Sequence, residues 1–373
     1  MTDPVPTTFA ILTGGGTAGH VNPALAIADA LMAAGHPRAA IHYVGSERGI
    51  EARLVPPTGY PMTLLPGRGI QRKLTTANLS AVGGLLVAGV QALRLVGRLR
   101  PKVVIAVGGY ASVAVGLAAV LRRVPLVVAE QNMAPGAANR LLARFAKVSA
   151  VAFPGTPLPR AVVTGNPIRD EITAIVPGRD RRAARRAFGV DEDRQLLLVV
   201  GGSLGARRVN DAVVEALAQW HDRADLTVHH VVGQRDWAAI KAAAPAHIGA
   251  VDYRAVAYED DMPAALAAAD VAVCRSGSST CFELAAAGLA AVLVPSPYVT
   301  ADQQTSNAAY LVDAGAAVLV PDEDLDGPRL VAEVDALMAD DERRAAMGGA
   351  AQTRARPHAA AAIAALAAEH RRG

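Results

Sequence analysis

The chain has 373 residues, 52% of them hydrophobic and 19% charged, ample for burial and too long for one comfortable core, so two domains of ordinary size are expected. A formal charge of +3 is too weak to imply nucleic-acid binding, and 4% aromatic residues argue against a base-stacking surface. The mild basic bias suits phosphorylated or anionic-lipid partners. Two cysteines, Cys274 and Cys281, make neither a disulfide framework nor a zinc cluster and fit a reducing compartment. The start Met1-Thr2-Asp3-Pro4 lacks a basic region followed by an apolar run, so no signal peptide is expected, and no stretch reads as a spanning helix.

In chain order, the apolar run 9–12 reads as a buried parallel strand. It enters Thr13-Gly14-Gly15-Gly16-Thr17-Ala18-Gly19-His20, and an Ala- and Leu-rich helix follows. Such a turn can aim backbone N–H groups outward, and the helix dipole adds roughly 0.3–1 kcal/mol for a nearby anion. The turn is therefore a candidate anion pocket with His20 facing its contents; the competing reading is a structural turn with a solvated or capping histidine. Gly14-x-Gly16-x-x-Gly19 also fits the dinucleotide fingerprint formally, but only Glu47 offers a ribose carboxylate, late and poorly placed. No Gly-Lys-Ser/Thr follows the glycines, which argues against a nucleotide-triphosphatase loop.

Apolar runs at 41–44, 62–65, 103–107 and 126–129 alternate with helical segments, predicting a parallel sheet covered on both faces with ligands beyond the strands' carboxyl ends. Three strand ends carry suggestive chemistry: the glycine turn, Gly108-Gly109-Tyr110, and Glu130-Gln131-Asn132. Between strands, Leu79, Val82, Leu85, Leu86, Val87, Val90 and Leu93 precede Arg94, Arg98, Arg100 and Lys102. This is either a sheet-covering helix with a solvated basic end or an apolar patch with a positive rim, suited to an anionic membrane.

Runs at 148–153 and 161–164 lead to Gly165-Asn166-Pro167-Ile168-Arg169, where Asn-Pro marks a turn and a domain boundary. Arg181, Arg182, Arg185 and Arg186 are then expected to form a solvated face. A second alternating unit opens at 195–200, enters Gly201-Gly202-Ser203-Leu204-Gly205-Ala206-Arg207 and continues into a helix at 210–220, repeating the opening design. Further strands are expected at 226–232, 247–251, 271–274, 291–294 and 317–320, and Pro357 interrupts an Ala- and Arg-rich helical tail starting near Asp340. The chain thus reads as two Rossmann-like halves, and a cleft between two such domains is a common place for a substrate.

The densest polar constellation is Arg275-Ser276-Gly277-Ser278-Ser279-Thr280-Cys281-Phe282-Glu283, followed by Pro295-Ser296-Pro297 and Asp302-Gln303-Gln304-Thr305-Ser306-Asn307. A carboxylate accepts from two vicinal hydroxyls, and amides both donate and accept, so these residues suit a ribose and a neutral sugar. The competing reading makes Glu283 a capping or surface residue.

Taken together, Gly15-Gly16-Thr17-Ala18-Gly19-His20, Gly108-Gly109-Tyr110, Glu130-Gln131-Asn132, Gly165-Asn166-Pro167-Ile168-Arg169, the turn at 201–206, Asp260-Asp261-Met262, the 275–288 stretch and Asp302-Gln303-Gln304 resemble, in order and spacing, the MurG-type N-acetylglucosaminyltransferases that complete the peptidoglycan lipid precursor. The resemblance covers essentially the whole chain. It implies an α/β fold of the GT-B type: two Rossmann-like domains facing across a cleft, with the C-terminal helix returning to the first. The domains implied are 1–166 with about 355–373 for the acceptor, and 167–354 for the UDP-sugar donor.

By the same resemblance, Gly15, Gly16, Thr17, Ala18, Gly19 and Tyr110 would hold the acceptor, and Ser203 the donor pyrophosphate. Glu283 would grip the ribose, with Ser279, Thr280, Gln303, Gln304 and Asn307 around the phosphates and sugar. Tyr258, Glu259 and Met262 would lie near the uracil, Arg169 and Arg275 would be charge partners, and Thr17, Gly19 and Asn132 would also meet the donor. The reaction implied is inverting transfer of N-acetylglucosamine from UDP-N-acetylglucosamine to undecaprenyl-pyrophosphoryl-N-acetylmuramoyl-pentapeptide. His20 would be the base, since an imidazole suits proton removal near neutral pH, and Asn132 would orient the reacting hydroxyls. No cofactor is required, and no Asp-x-Asp stands where a dedicated divalent-cation site would need it. The implied partners are the lipid-linked acceptor, the anionic inner membrane surface and cell-wall synthesis proteins, without nucleic acid, and the implied location is peripheral on the cytoplasmic face of the cell membrane. Four positions depart from the family pattern: Ala18 for glycine, Ala129 for a histidine, Leu204 for a polar residue and Ser279 for an apolar one. Neither Ala18 nor Leu204 removes a backbone N–H, so activity is expected to survive, and Ala129 rules out a histidine there as the base.

Overall fold

The structure, a computed structural model, describes residues 8–66, 76–202, 205–244 and 249–373, of which 76–85 and 300 are described by their backbone alone. The chain divides into two compact units, Met1–Arg169 with Arg356–Gly373, and Asp170–Ala355.

The first unit is built on seven parallel strands: β1 (Ala10–Gly14), β2 (Ile41–Ser46), β3 (Met62–Leu65), β4 (Val103–Gly108), β5 (Leu126–Glu130), β6 (Val148–Val151) and β7 (Ala161–Val163), in the order β3-β2-β1-β4-β5-β6-β7. β1 pairs with both β2 and β4, Ala10 lying opposite Ile41 and Val103, and the register slips only where Gly14 meets Gly108. The central strands are apolar along their length because both faces are covered, and alternation sends neighbours to opposite cores. Leu12 and Ile105 join Val21, Ile27 and Leu31 on one side, whereas Ile11 and Val104 join Ala92, Val115 and Leu142 on the other. The abundant alanine lets helices approach closely. Ala24 and Ala28 of the Ala18–Ala33 helix share a core with Ile363, Ala364 and Ala367 of the Ala359–Glu369 helix. That last helix belongs to the first unit, after a break at Pro357 that separates it from the Asp341–Arg354 helix.

The second unit repeats the design with β8 (Gln195–Val200), β9 (Leu226–Val231), β10 (Asp252–Val256), β11 (Val271–Cys274), β12 (Ala291–Leu293) and β13 (Ala317–Leu319), all parallel in the order β10-β9-β8-β11-β12-β13. Trp220, Leu197, Val199, Val273 and Leu330 anchor its core.

Two expectations are corrected. The strand expected at 247–251 is instead β10, five residues later, and residues 245–248 lie outside the described part. As an edge strand, half-buried throughout, β10 carries Asp252 and Arg254 and gives no apolar run to read. The arginines at 181–186 are not one solvated face. Arg182 and Arg186 are exposed, but Arg185 is only 2% exposed and its Nη1 donates to Asp270 Oδ2 (3.1 Å) and Ala268 O (3.2 Å). Arg181 pairs with the same carboxylate, which also accepts from Leu196 N at 2.7 Å, so Asp270 ties the Arg181–Ala187 helix to the start of β8. Periodicity cannot distinguish an arginine that faces water from one that meets a buried carboxylate 85 residues away.

The Thr76–Leu99 helix exposes Leu86, Val87 and Val90, and Leu121 and Phe145 are exposed elsewhere in the same unit. Leu79, Val82 and Leu85 lie outside the described side chains. Among the described residues no helix is long and apolar enough to cross a membrane.

Removing the carboxylate at 270 leaves a buried guanidinium without its counter-charge. Asp270→Ala is therefore expected to cost about 3–5 kcal/mol in urea unfolding, against less than about 0.5 kcal/mol for the exposed Arg182→Ala. Equal midpoints for the two variants would show that the Arg185–Asp270 pair holds nothing.

Candidate functional site

Each sheet reverses its strand order once, between β1 and β4 and between β8 and β11, and ligands of open parallel sheets bind beyond the carboxyl ends at such a point. In the first unit two glycine turns meet there. Gly15 N donates to Gly108 O at 3.2 Å, and a Cβ on Gly109 (φ +88°) would lie 2.5 Å from Gly15 O, so only glycine fits. Thr17 is the extended residue before the Ala18–Ala33 helix, and its carbonyl accepts from His20 N and Val21 N.

His20 stands in the first turn of that helix. Its Nδ1 lies 3.1 Å from Gly15 O and 3.3 Å from Thr17 Oγ1. A carbonyl only accepts, so Nδ1 carries the proton and Nε2 keeps its lone pair. The Nε2 edge lies over Gly108, where a Cβ would come within 2.9 Å. Burial lowers the pKa of His20 below 6.5, opposed by the charge of Glu130, the Gly15 carbonyl and the charge of Glu51. The ring is thus neutral at pH 7, with an unprotonated nitrogen.

The turn differs from expectation in where its amides go. The N–H of Gly15 is taken by Gly108, and that of Gly16 by Glu51 Oε2 (2.8 Å), whose Oε1 accepts from Ser46 N at 2.7 Å. Glu51 is fully buried, in space left by the missing side chains of Gly15, Gly45 and Gly49. The amides heading the helix from Thr17 through Gly19 are the ones placed for an anion. Sequence reasoning missed Glu51; the three surrounding glycines were the available signal.

At the end of β5, buried Glu130 organises the next loop. Its Oε1 accepts from Asn132 N (2.9 Å) and Asn132 Nδ2 (3.3 Å), and its Oε2 from Gly136 N (3.0 Å) and Asn139 Nδ2 (2.9 Å). Asn132 is thereby fixed by a carboxylate close enough to act on His20. Tyr110 opens the Tyr110–Leu121 helix, its hydroxyl donating to Pro66 O at 3.3 Å, and Arg169 is half-buried at the end of the unit.

In the second unit a cavity of about 1170 Å³ opens at the carboxyl ends of β8, β11, β12 and β13. Gly201, Gly202, Gly205, Arg207 and Arg208 form one wall, and Arg275, Gly277, Thr280, Ser296, Gln304 and Asp322 face it. Ser203 and Leu204 lie outside the described residues. Thr280 and Gln304 line the cavity, Gln304 also accepting from Ser296 N at 2.8 Å.

Other expected donor residues do not line this cavity. Ser279 and Glu283 are half-buried on the Ser278–Ala287 helix, and Gln303 opens the Gln303–Val312 helix, all off the cavity wall. Asn307 is fully buried on the packed side of that second helix, its Nδ2 donating to Ser276 O at 3.4 Å, so it braces the turn behind the wall. Tyr258 is 55% exposed in the loop after β10. There Glu259 bridges His229 Nε2 (2.7 Å) and Asp261 N (2.8 Å), and Met262 begins the next helix. Arg275 reaches the cavity with its charge already engaged: Nη1 pairs with Asp322 and donates to Val294 O and Pro295 O. Burial pushes the Cys281 thiol up to about 12 and Cys274 higher still, which leaves both unreactive. Among the described residues no group of three or more His, Cys, Asp or Glu is placed to hold a metal ion.

Comparison with known proteins agrees with this layout. Residues 10–151 match the glycosyltransferase family 28 N-terminal domain and residues 196–363 its C-terminal domain. The UDP-N-acetylglucosamine--N-acetylmuramyl-(pentapeptide) pyrophosphoryl-undecaprenol N-acetylglucosamine transferase of Salinibacter ruber is 43% identical over 358 residues, covering 95% of this chain and 94% of that protein. The transferase of the same name from a Nocardioides species is 45% identical over 342 residues, covering 91% and 92%. The crystal structure of Acinetobacter baumannii MurG superposes with a TM-score of 0.80 at 29% identity, over 97% of this chain and 99% of that one. The chain belongs to glycosyltransferase family 28 and, within it, to the MurG type.

Proposed function

We propose that this protein transfers N-acetylglucosamine from UDP-N-acetylglucosamine to the muramoyl-pentapeptide pyrophosphoryl-undecaprenol acceptor, with inversion at the anomeric carbon. The observation that carries the reading is His20: neutral, tautomer-fixed by Gly15 O, and set at a helix start suited to an acceptor phosphate. An acceptor hydroxyl attacks the anomeric carbon while its proton passes to His20 Nε2, and the bond to UDP breaks on the opposite side. The imidazolium formed is stabilised by the Gly15 carbonyl and by the charges of Glu130 and Glu51. The departing diphosphate is met by the start of the Arg207–Gln219 helix and the turn before it.

Within this reading Thr17, Ala18, Gly19 and Tyr110 serve the acceptor on a turn that Gly15 and Gly16 shape, and Asn132, held by Glu130, orients its hydroxyls. Glu283 takes the ribose, and Thr280, Gln303 and Gln304 the phosphates and sugar, with Ser203 in the donor turn. The loop with Tyr258, Glu259 and Met262 serves the uracil, and Arg169 the donor. Exposed Leu86, Val87 and Val90, followed by Arg94, Arg98 and Arg100, support docking on an anionic membrane, the cytoplasmic face being where a UDP-sugar is supplied.

Transfer of radiolabelled sugar from UDP-N-acetylglucosamine to purified acceptor in detergent tests the reading, and absence of product from wild-type protein would end it. His20→Ala is expected to lower kcat by about 100-fold or more while UDP still binds; turnover near wild type would remove His20 from the base role. Because burial lowers the His20 pKa, the acidic limb of kcat/KM in free enzyme should fall below 6.5, and a limb above that value would contradict the geometry. Glu283→Ala should raise the KM for UDP-N-acetylglucosamine by about tenfold with the acceptor KM unchanged, the size of one lost charge-assisted hydrogen bond.

A further inference from the structure

One wall of the donor-unit cavity carries positive charge against a local rule. Arg207 and Arg208 occupy the first two positions of the Arg207–Gln219 helix, where the dipole is already positive and carboxylates are favoured. Arg208 lines the cavity with its donors engaged by Asp322 O (3.0 Å) and Glu323 O (2.7 Å). Arg207 instead converges with Arg235, from the turn after β9, on one carboxylate, and both arginines line the cavity.

That carboxylate is Asp236, fully buried although both arginine side chains are more than half exposed, at 58% and 57%. Arg235 grips it through Nε and Nη2, each at 3.0 Å, and Arg207 through Nη2 at 3.2 Å. A hydrogen-bond chain with one direction throughout supports it from behind. Tyr253 Oη donates to His230 Nδ1 (2.9 Å), His230 Nε2 donates to Asn210 Oδ1 (2.9 Å), and Asn210 Nδ2 donates to Asp236 Oδ2 (3.2 Å). Burial lowers His230 to about 4, so the ring is neutral and the direction of the chain is fixed near pH 7. Asp236 itself is held below the usual carboxylate range, chiefly by the Arg235 hydrogen bonds. Gly205 leaves room for it, since a Cβ there (φ +86°) would lie 2.9 Å from Asp236 Oδ2. Arg207, Arg208 and Arg235 stand against two carboxylates, Asp236 and Asp211, the latter also lining the cavity and acting on Arg207 and Arg208, so three cations to two anions leave the cluster positive, and Arg235 Nη2 also donates to Gly205 O at 3.3 Å. Arg275, the charge partner expected from the sequence, has its own carboxylate in Asp322.

We propose that Arg207 and Arg235 clamp the diphosphate of the nucleotide leaving group, with Asp236 as the positioning residue that aims both. The proposal rests on the donor reading above and adds which side chains take the charge that develops as the bond to UDP breaks. The leaving oxygen gains the electron pair of that bond, and the clamp meets it with donors already oriented.

The test is calorimetric binding of UDP and of uridine to the full chain. Arg207→Ala/Arg235→Ala is expected to weaken UDP by about 100-fold and leave uridine unchanged, with kcat falling more than the acceptor KM changes. Asp236→Asn keeps both cations and is expected to weaken UDP by about tenfold in the folded protein; a purely structural Asp236 would lower the melting temperature without that change. Exposed Arg329→Ala, whose partner is Glu333, should match wild type. Wild-type protein that binds UDP, with a double variant that binds it equally, overturns the clamp and leaves the donor reading standing. Wild-type protein that binds no UDP overturns the donor reading.

Discussion

The hydrogen bond from Gly15 N–H to Gly108 O, between the turns that leave β1 and β4, is the contact on which the first half depends. It forms at the point where the strand order reverses, and it needs two backbones to approach more closely than any side chain allows, hence glycine at 109. The same approach leaves Gly15 O facing His20 Nδ1, so one backbone geometry shapes the turn and selects the imidazole tautomer. A wider turn would release the ring to either tautomer.

Around that contact, charge is arranged at two depths. Glu51 and Glu130 are buried carboxylates satisfied almost wholly by backbone amides and asparagine, which fixes their positions without a cation. They favour the protonated form of His20 while burial, the larger effect, favours the neutral one, so the ring's pKa lies below its ordinary value. The second unit uses the opposite plan, a buried carboxylate beneath exposed guanidinium groups.

The fold was legible because parallel strands covered on both faces announce themselves as apolar runs: 62–65, 195–200 and 271–274 coincide with observed strands to the residue. The edge strand β10 escaped because one covered side produces no such run. Among site residues, Thr280 and Gln304 line the cavity, but motif position could not tell that Asn307 turns into the packing or that Arg275 is engaged by Asp322. Glu51 and Asp236 were illegible for a related reason. Each also reaches a partner distant in sequence, Gly16 for Glu51 and Asn210 for Asp236, and a lone carboxylate near a glycine reads as a turn residue until those partners are seen. Arg185 deceived in the same way, its burial being set by a carboxylate far along the chain.

The first unit is discontinuous in the chain: its core includes Ile363, Ala364 and Ala367, although its sheet is complete by Val163. On the ribosome, the segment emerging first is therefore the one that finishes folding last, with a face of the Ala18–Ala33 helix uncovered while Asp170–Ala355 is synthesised. During that interval Ala24 and Ala28 lack the apolar neighbours that Ile363, Ala364 and Ala367 later bring to the same core.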